Sequence, residues 1–213
     1  MQSMNITQTQ YNEFQRAYDF FNAQLFNSQL PDVLITLQRH NKAYGFLAPQ
    51  KFVGRGNEAT AHELALNPDH FGRTDGEILS TLVHEMAHVW QITCGKPPRK
   101  SYHDRQWSAK MVEIGLQPSN TGAPGGKETG AKMSHYVIEG GRYSVALADL
   151  QSKGFSLNWQ SQVEAKDAKT KAESKTKYTC PNCEQNAWAK PGAMLICGVC
   201  FDEDGEITHM ESN

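Results

Sequence analysis

The sequence predicts an α+β fold, a small antiparallel sheet packed against helices, followed by a compact four-cysteine module. Three observations predict it. Apolar residues recur at helical spacing near the N-terminus and again after Thr74. Between those runs, Val33, Ile35 and Leu37 alternate with polar neighbours, as a half-buried strand does. Near the C-terminus, Cys180-Pro-Asn-Cys183 and Cys197-Gly-Val-Cys200 form two knuckles behind a charged segment.

Taken in order, Tyr11, Phe14, Tyr18, Phe21 and Leu25 define an amphipathic helix over about 10–27, its aromatic stripe facing a core. Pro31 breaks the chain. A strand over Val33–Leu37 is followed by a turn at His40-Asn41-Lys42 and a second strand from Ala43 to Leu47. Lys51 to Asn57, with two glycines, reads as a loop, and Thr60–Leu66 as a third strand. Thr74-Asp75-Gly76-Glu77 is a capping box, and a helix follows it. Ile78, Leu79, Leu82, Val83, Met86, Val89 and Trp90 cover most of that helix, so it is buried. It ends near Cys94-Gly95, ahead of Pro97-Pro98, with Cys94 expected as a small core residue. A further helix is expected after Ser101, running to Ile114, with His103, Trp107, Met111 and Ile114 on one face. Gly115 to Gly130 is rich in turn formers and reads as a long loop. A hairpin of Met133–Glu139 and Arg142–Ala146 around Gly140-Gly141 is expected next. The organisation is therefore a first domain over 1–160, a charged linker over 161–177 and a four-cysteine module over 178–213.

Inside the buried helix lies His84-Glu85-Met86-Ala87-His88. Histidines at i and i+4 share one helix face and can bind a single zinc ion, with Glu85 placed to handle a water on the metal. Two imidazoles and a carboxylate are costly in an apolar helix unless something satisfies them. A pair of core histidines bonded to backbone carbonyls is the plainer alternative, but it leaves Glu85 without a purpose. A catalytic zinc takes three protein ligands and an open position. His103, the polar member of the next core-facing stripe, is the third ligand expected, ahead of Asp104, Glu113, His135 and Glu139. The longer H-E-x-x-H-x-x-G-x-x-H pattern is absent, since Gln91 and Cys94 hold the later positions.

The two knuckles can each give two thiolates to a closed, tetrahedral, structural zinc site built from Cys180, Cys183, Cys197 and Cys200. A redox reading needs a βαβ context that the flanking sequence does not offer. The cofactors expected are thus one catalytic and one structural Zn2+.

Composition narrows the classes further. No run approaches the roughly 18 apolar residues of a membrane span. No basic-then-apolar leader is evident at Met1-Gln2-Ser3-Met4-Asn5, and four cysteines in knuckles suit a reducing compartment, so a cytoplasmic or nucleoid location is expected. The formal net charge of -2 argues against strong nonspecific nucleic-acid affinity for the whole chain. Charge is uneven, however. Lys96 to Lys132 holds seven Lys and Arg against three acidic residues, beside the histidines, whereas Asp202-Glu203-Asp204-Gly205-Glu206 is acidic. The basic stretch either faces an anionic partner or is simply solvated.

The order of these features resembles the SprT-like zinc metalloproteases, the family that includes the vertebrate enzyme Spartan. The resemblance rests on Leu25-Phe26-Asn27, Leu30-Pro31, Gly45-Phe46, Glu63-Leu64-Ala65-Leu66-Asn67-Pro68, the H-E-x-x-H run, Tyr102-His103-Asp104-Arg105-Gln106-Trp107 and the four cysteines. It implies a zincin-like metalloprotease domain with His84, His88 and His103 as zinc ligands, Glu85 as general base, and a C-terminal zinc ribbon. It also implies DNA-dependent proteolysis of proteins crosslinked to DNA, with single-stranded or junction DNA as partner. Trp188 and Lys190 of the ribbon are candidates for base stacking and phosphate contact, or are ordinary ribbon surface. His135, Tyr136 and Arg142, after the Gly-rich loop, are the candidates for oxyanion stabilisation. In many zincins an edge strand beside the active helix pairs with extended substrate, and Thr60–Leu66 is the expected strand here. The rival readings are a zinc peptidase with a defined protein target and no use for DNA, and a non-catalytic DNA-binding or regulatory zinc protein.

Overall fold

The computed structural model describes residues 5–41, 43–56, 59–99, 102–162, 175–205 and 207–212. The chain divides into two compact units, Met1–Gln162 and Val163–Asn213. Most of the charged linker expected over 161–177 lies outside the described residues.

The first unit opens with helix α1, Ile6–Phe26, capped at its start by the Asn5 side chain. Phe14, Ala17, Tyr18, Phe21 and Leu25 are fully buried along one face. Tyr11, expected in that stripe, is 38 % exposed and lies at its margin. The helix stops at Asn27, whose left-handed backbone suits an asparagine side chain. The Tyr18 hydroxyl then donates to the Pro31 carbonyl at 2.6 Å, holding the turn into the sheet.

Strands β1 (Val33–Leu37), β2 (Gly45–Val53) and β3 (Thr60–Leu66) form one sheet in the order β1-β3-β2. Three expectations need correction here. The sheet is mixed, since β1 runs parallel to β3 while β2 runs antiparallel. β3 is its central strand, bonded on both sides, so it cannot be an edge that recruits substrate. Its burial on both faces, with Glu63, Leu64, Ala65 and Leu66 all buried, is the mark of a central strand. β2 also continues to Val53 across a bulge between Ala48 and Phe52, so the residues from Lys51 to Val53 are strand rather than loop.

Helix α2, Asp75–Thr93, carries the capping box of Thr74 and Glu77 in both directions. Its apolar residues from Ile78 to Val89 are buried against α1, the sheet and the next helix. Gly45 permits the closest approach of β2 to this helix. A Cβ there would meet the Ala65 carbonyl at 2.9 Å, Thr81 Cγ2 at 3.2 Å and Glu85 Cγ at 3.3 Å. The helix ends at Cys94, which is exposed rather than in the core. Position in a buried helix misleads there, because the last turn runs out of the packed layer.

Helix α3 is shorter than expected, Arg105–Glu113, with Asp104 as its cap. Ser101 lies outside the described residues. His103 therefore precedes the helix. Its backbone pairs with Gly130 in an isolated antiparallel bridge, with N–O distances of 2.8 and 3.0 Å. Trp107, Met111 and Ile114 do share a fully buried face.

The region after α3 departs most from expectation. Leu116–Ser119 is a strand, β4, and it pairs antiparallel with β5, Ser134–Val137. Pro118 is tolerated because this sheet has only two strands, both of them edges. Arg142–Ser152 is helix α4, not the second arm of a hairpin. Tyr143, Ala146 and Leu150 are its buried residues, a helical spacing that outweighs the turn signal of Gly140-Gly141. The Tyr143 ring packs 5.6 Å from Phe21, and its hydroxyl donates to the Gly76 carbonyl at 2.5 Å. Gly115, at φ +93°, lets α3 turn under α4. Any Cβ there would lie 2.6 Å from the Tyr143 amide nitrogen.

The second unit holds strands β6 (Thr176–Thr179), β7 (Asn186–Ala189) and β8 (Glu211–Ser212) in the order β7-β6-β8, with a short helix α5, Gly198–Asp204. Its buried residues, among those described, are Tyr178, Cys180, Cys197 and Cys200, with Met210 packed against the cysteines. So small a core cannot sustain a fold by apolar burial alone. Among the described residues, no helix is long and apolar enough to cross a membrane.

Candidate metal centre and its surroundings

One turn of α2 separates His84 from His88, and the Gly130 bridge brings His103 against both. Ring centroids lie 5.2 Å apart for His84 and His88, 5.6 Å for His84 and His103, and 4.7 Å for His88 and His103. One nitrogen from each ring falls within 4.8 Å of the other two. Trp107 forms a shared wall, with its ring 4.9, 5.3 and 4.5 Å from His84, His88 and His103. His88 stacks on it nearly parallel, at 16°.

The donor set fits a metal. Burial holds His84 well below the ordinary histidine range, pushes His88 down to about 3, and lowers His103 as well. All three are therefore neutral, the form that ligates. His103 Nδ1 lies 3.1 Å from the Gly130 carbonyl, an acceptor only, so Nδ1 carries the proton and Nε2 keeps its lone pair. Three neutral nitrogens, with no fourth protein ligand in the cluster among the described residues, form a donor set compatible with zinc.

Glu85 lies next to His84 in the chain and is 5 % exposed. Burial pushes its carboxyl up to about 8 in the metal-free protein. It lies beside the first residue of β2, as the Gly45 geometry shows.

The other sequence candidates separate clearly. Asp104 accepts from the backbone N–H groups of Gln106 and Trp107 and from the Gln91 amide, so it is a helix cap. Glu113 pairs with Lys110 at 2.8 Å and Arg142 at 3.5 Å, on another face of the unit. Glu139 is exposed and no part of the cluster. Arg142 also donates to the Gln24 carbonyl, which commits it to α1. Tyr136 is placed in register with Gln117, with no described contact to the histidines. His135 does reach the cluster, its Nδ1 3.1 Å from His84 Nδ1. Ser80, whose Oγ lies 3.0 Å from His135 Nε2, escaped sequence reasoning. A serine one turn before the first histidine carries no signal until β5 is placed.

In the second unit the four thiols lie within 4.8 Å of one another. Cys180 and Cys200 sulfurs are 3.7 Å apart, and those of Cys183 and Cys197 are 3.5 Å apart. A tetrahedron of Zn–S bonds near 2.3 Å has edges of about 3.8 Å. Backbone N–H groups of Cys183 and Asn182 hold the Cys180 thiol down at about 7, ready to ionise, while burial pushes Cys200 up to about 12. A bound cation would reverse the latter.

Neutral buried histidines have a consequence for the metal-free protein. The unfolded chain binds protons at these side chains below about pH 6.5, and the folded chain binds them only at lower pH. Their contribution is complete above pH 6.5 and is lost as the pH falls. His88 alone, with a folded value of about 3, costs about 2 kcal/mol at pH 5. His135, pushed down to about 4 by burial, acts in the same sense. Glu85 opposes them, since its folded carboxyl keeps a proton that the unfolded one releases. One group against four leaves the histidines dominant. Denaturation by urea in the presence of chelator is expected to show a lower midpoint at pH 5 than at pH 6.5. An unchanged midpoint would mean that these rings are solvated.

The comparisons with known proteins agree with this geometry. The SprT-like family matches residues 14–129, from within α1 through all three histidines. A stretch of 54 residues is 52 % identical to a protein of Salmonella typhimurium described as an uncharacterized protein in the mucB 3′ region. That stretch covers 25 % of this chain and 73 % of that protein. No solved structure matches the chain. With over half of its length matched, and with a histidine triad assembled by the matched segment, this chain belongs to the SprT-like family.

Proposed function

We propose that the protein is a zinc-dependent endopeptidase of zincin-like architecture that degrades proteins held on DNA. The observation that carries this reading is the convergence of His84, His88 and His103 around one point in a SprT-like chain, with the buried Glu85 following His84 on the same helix.

His84, His88 and His103 would hold the ion, and the four cysteines a second, structural one. A bound zinc ion lowers the pKa of its water toward about 7 and polarises a carbonyl. Glu85, whose carboxyl a bound cation would bring back to the ionised form, would take the proton of the attacking water and return it to the leaving amine. Trp107 closes the floor behind the histidines and keeps solvent away from their rings. β2 is an outer strand of the sheet and the one that touches Glu85, so it replaces β3 as the strand on which an extended substrate would lie. Pairing through backbone groups reads little sequence, which suits varied protein substrates.

The DNA part of the proposal draws on charge near the site. A shallow groove of about 760 Å³ is lined by Arg105, Lys127, Glu128 and neighbours from α3 and the loop after β4. Arg105 and Lys127 are both exposed. Lys110, however, is buried and paired with Glu113, so it does not add to this basic surface. On the ribbon, Trp188 is 62 % exposed and Lys190 is exposed too. A second reading, a peptidase with a dedicated protein target, is favoured by Met194 and Ile207, apolar ribbon side chains that are 88 % and 62 % exposed.

Metal removal tests the peptidase reading. Cleavage of an unfolded protein substrate by the full chain is expected to stop on chelation and to return with zinc. A chain that carries two zinc ions and cleaves nothing, with DNA or without it, would refute it.

A further inference from the structure

A half-buried hydrogen-bond chain leads from helix α2 to the ring of His84. The Ser80 hydroxyl lies 2.9 Å from the Glu77 carbonyl. His135 Nε2 lies 3.0 Å from Ser80 Oγ, and His135 Nδ1 lies 3.1 Å from His84 Nδ1. His135 comes from β5, fifty-one residues beyond His84 in the chain. Its ring sits 5.2 Å from that of His84, centroid to centroid.

The chain has a direction. A carbonyl oxygen only accepts, so Ser80 donates its one proton to Glu77. Ser80 Oγ must then accept from His135 Nε2–H. A neutral His135 with its proton on Nε2 has a bare Nδ1, which accepts from His84 Nδ1–H. His84 is left with its lone pair on Nε2, the nitrogen remaining for the metal. The reverse direction would put the His84 proton on Nε2 and close that position. Free imidazole favours the Nε2–H form, so His84 needs such a partner to present Nε2.

From this we infer that His135 is a positioning residue, fixing the tautomer and ring orientation of His84 with Ser80 as its anchor. His103 receives the same service from the Gly130 carbonyl. A ligand whose outer nitrogen donates to a fixed acceptor is oriented and more basic. His135 itself is not a ligand in this arrangement, since both of its nitrogens are engaged elsewhere. The assignment also removes His135 from the candidates for oxyanion stabilisation. It rests on the proposed zinc site of His84, His88 and His103.

The test uses the full chain with zinc counted and titrated by chelator competition. His135→Leu is expected to weaken the histidine-site zinc by about 10–100-fold while the ribbon zinc is unaffected. His135→Asn places an amide oxygen near the Nδ1 position and is expected to recover most of that loss. In zinc-free protein, long-range proton–nitrogen NMR is expected to find His84 with its proton on Nδ1, and on Nε2 in His135→Leu. Should His135→Leu fail to fold, Ser80→Ala is read in the same way, with the His84 tautomer shifted toward Nε2–H. Equal zinc affinity in wild type and His135→Leu, or an unchanged His84 tautomer in either variant, would overturn the inference. A wild type that binds only the ribbon zinc would overturn the underlying site instead, so the two failures are distinguishable.

Discussion

Replacement of Glu85 by Gln is expected to abolish peptide cleavage while both zinc ions stay bound. The substitution keeps shape and volume, and the carboxyl of the metal-free protein is already neutral at pH 7, because burial pushes it up to about 8. Folding should therefore be unaffected. What is lost is the carboxyl group to which the proposed mechanism gives the proton. General acid–base groups contribute roughly a hundredfold to ten-thousandfold in rate, and Glu85 is assigned both the acceptance and the delivery of the proton. The expected result is a loss of at least that size in kcat with KM little changed, since Glu85 binds no part of the ground-state substrate in this account. Metal content by atomic spectroscopy completes the measurement. Activity near wild type in a fully loaded Glu85→Gln protein would remove Glu85 from the mechanism.

His103→Ala carries the second large effect. The backbone of His103 pairs with Gly130 through two hydrogen bonds that the side chain does not supply. The bridge, the cap at Asp104 and helix α3 should survive the truncation. The histidine site would keep two ligands instead of three. Zinc content is expected to fall from two ions per chain to one, with the four-cysteine site still filled and cleavage lost. Stabilisation by zinc should also vanish from the first unit. A ligand at a thousandfold excess over its Kd adds about 4 kcal/mol, so the shift in thermal midpoint is large enough to read. Two tightly bound ions in this variant would place the third ligand elsewhere.

These expectations draw on features that were legible to different degrees. The capping box at Thr74 sets the start of α2 to the residue and its apolar surface marks it as buried, because local side-chain bonds and burial agree there. The stripe of Trp107, Met111 and Ile114 likewise gave α3 its buried face, yet not its start. Asp104 outcompetes the preceding residues as cap, which leaves His103 in a bridge that only the distant Gly130 reveals. The order β1-β3-β2 was not legible, since periodicity reports which face is buried and not which neighbour a strand takes. Glu63 could have signalled the central position. A carboxylate buried in a strand needs cross-strand partners, and it accepts from Thr36 and Gln38 of β1 and the residue after it. Arg142–Ala146 reads as a hairpin arm because two glycines outweigh a weak helical spacing, although Tyr143, Ala146 and Leu150 hold the information for the helix. For the candidate site, the spacing of His84 and His88 brought two of the histidines together in advance. His135 appeared only as one residue among several after a Gly-rich loop. Its contact with His84 depends on β4 pairing with β5, a long-range event with no local trace.

The measurement that bears most directly on the central claim is cleavage of a protein–DNA crosslink by the zinc-loaded chain, with wild type and Glu85→Gln compared, and with single-stranded DNA present or absent. The account predicts cleavage that requires both Glu85 and DNA. Cleavage that requires Glu85 and ignores DNA would contradict the DNA part and favour a peptidase with a dedicated target. No cleavage under any condition, from a chain holding two zinc ions, would contradict the account as a whole.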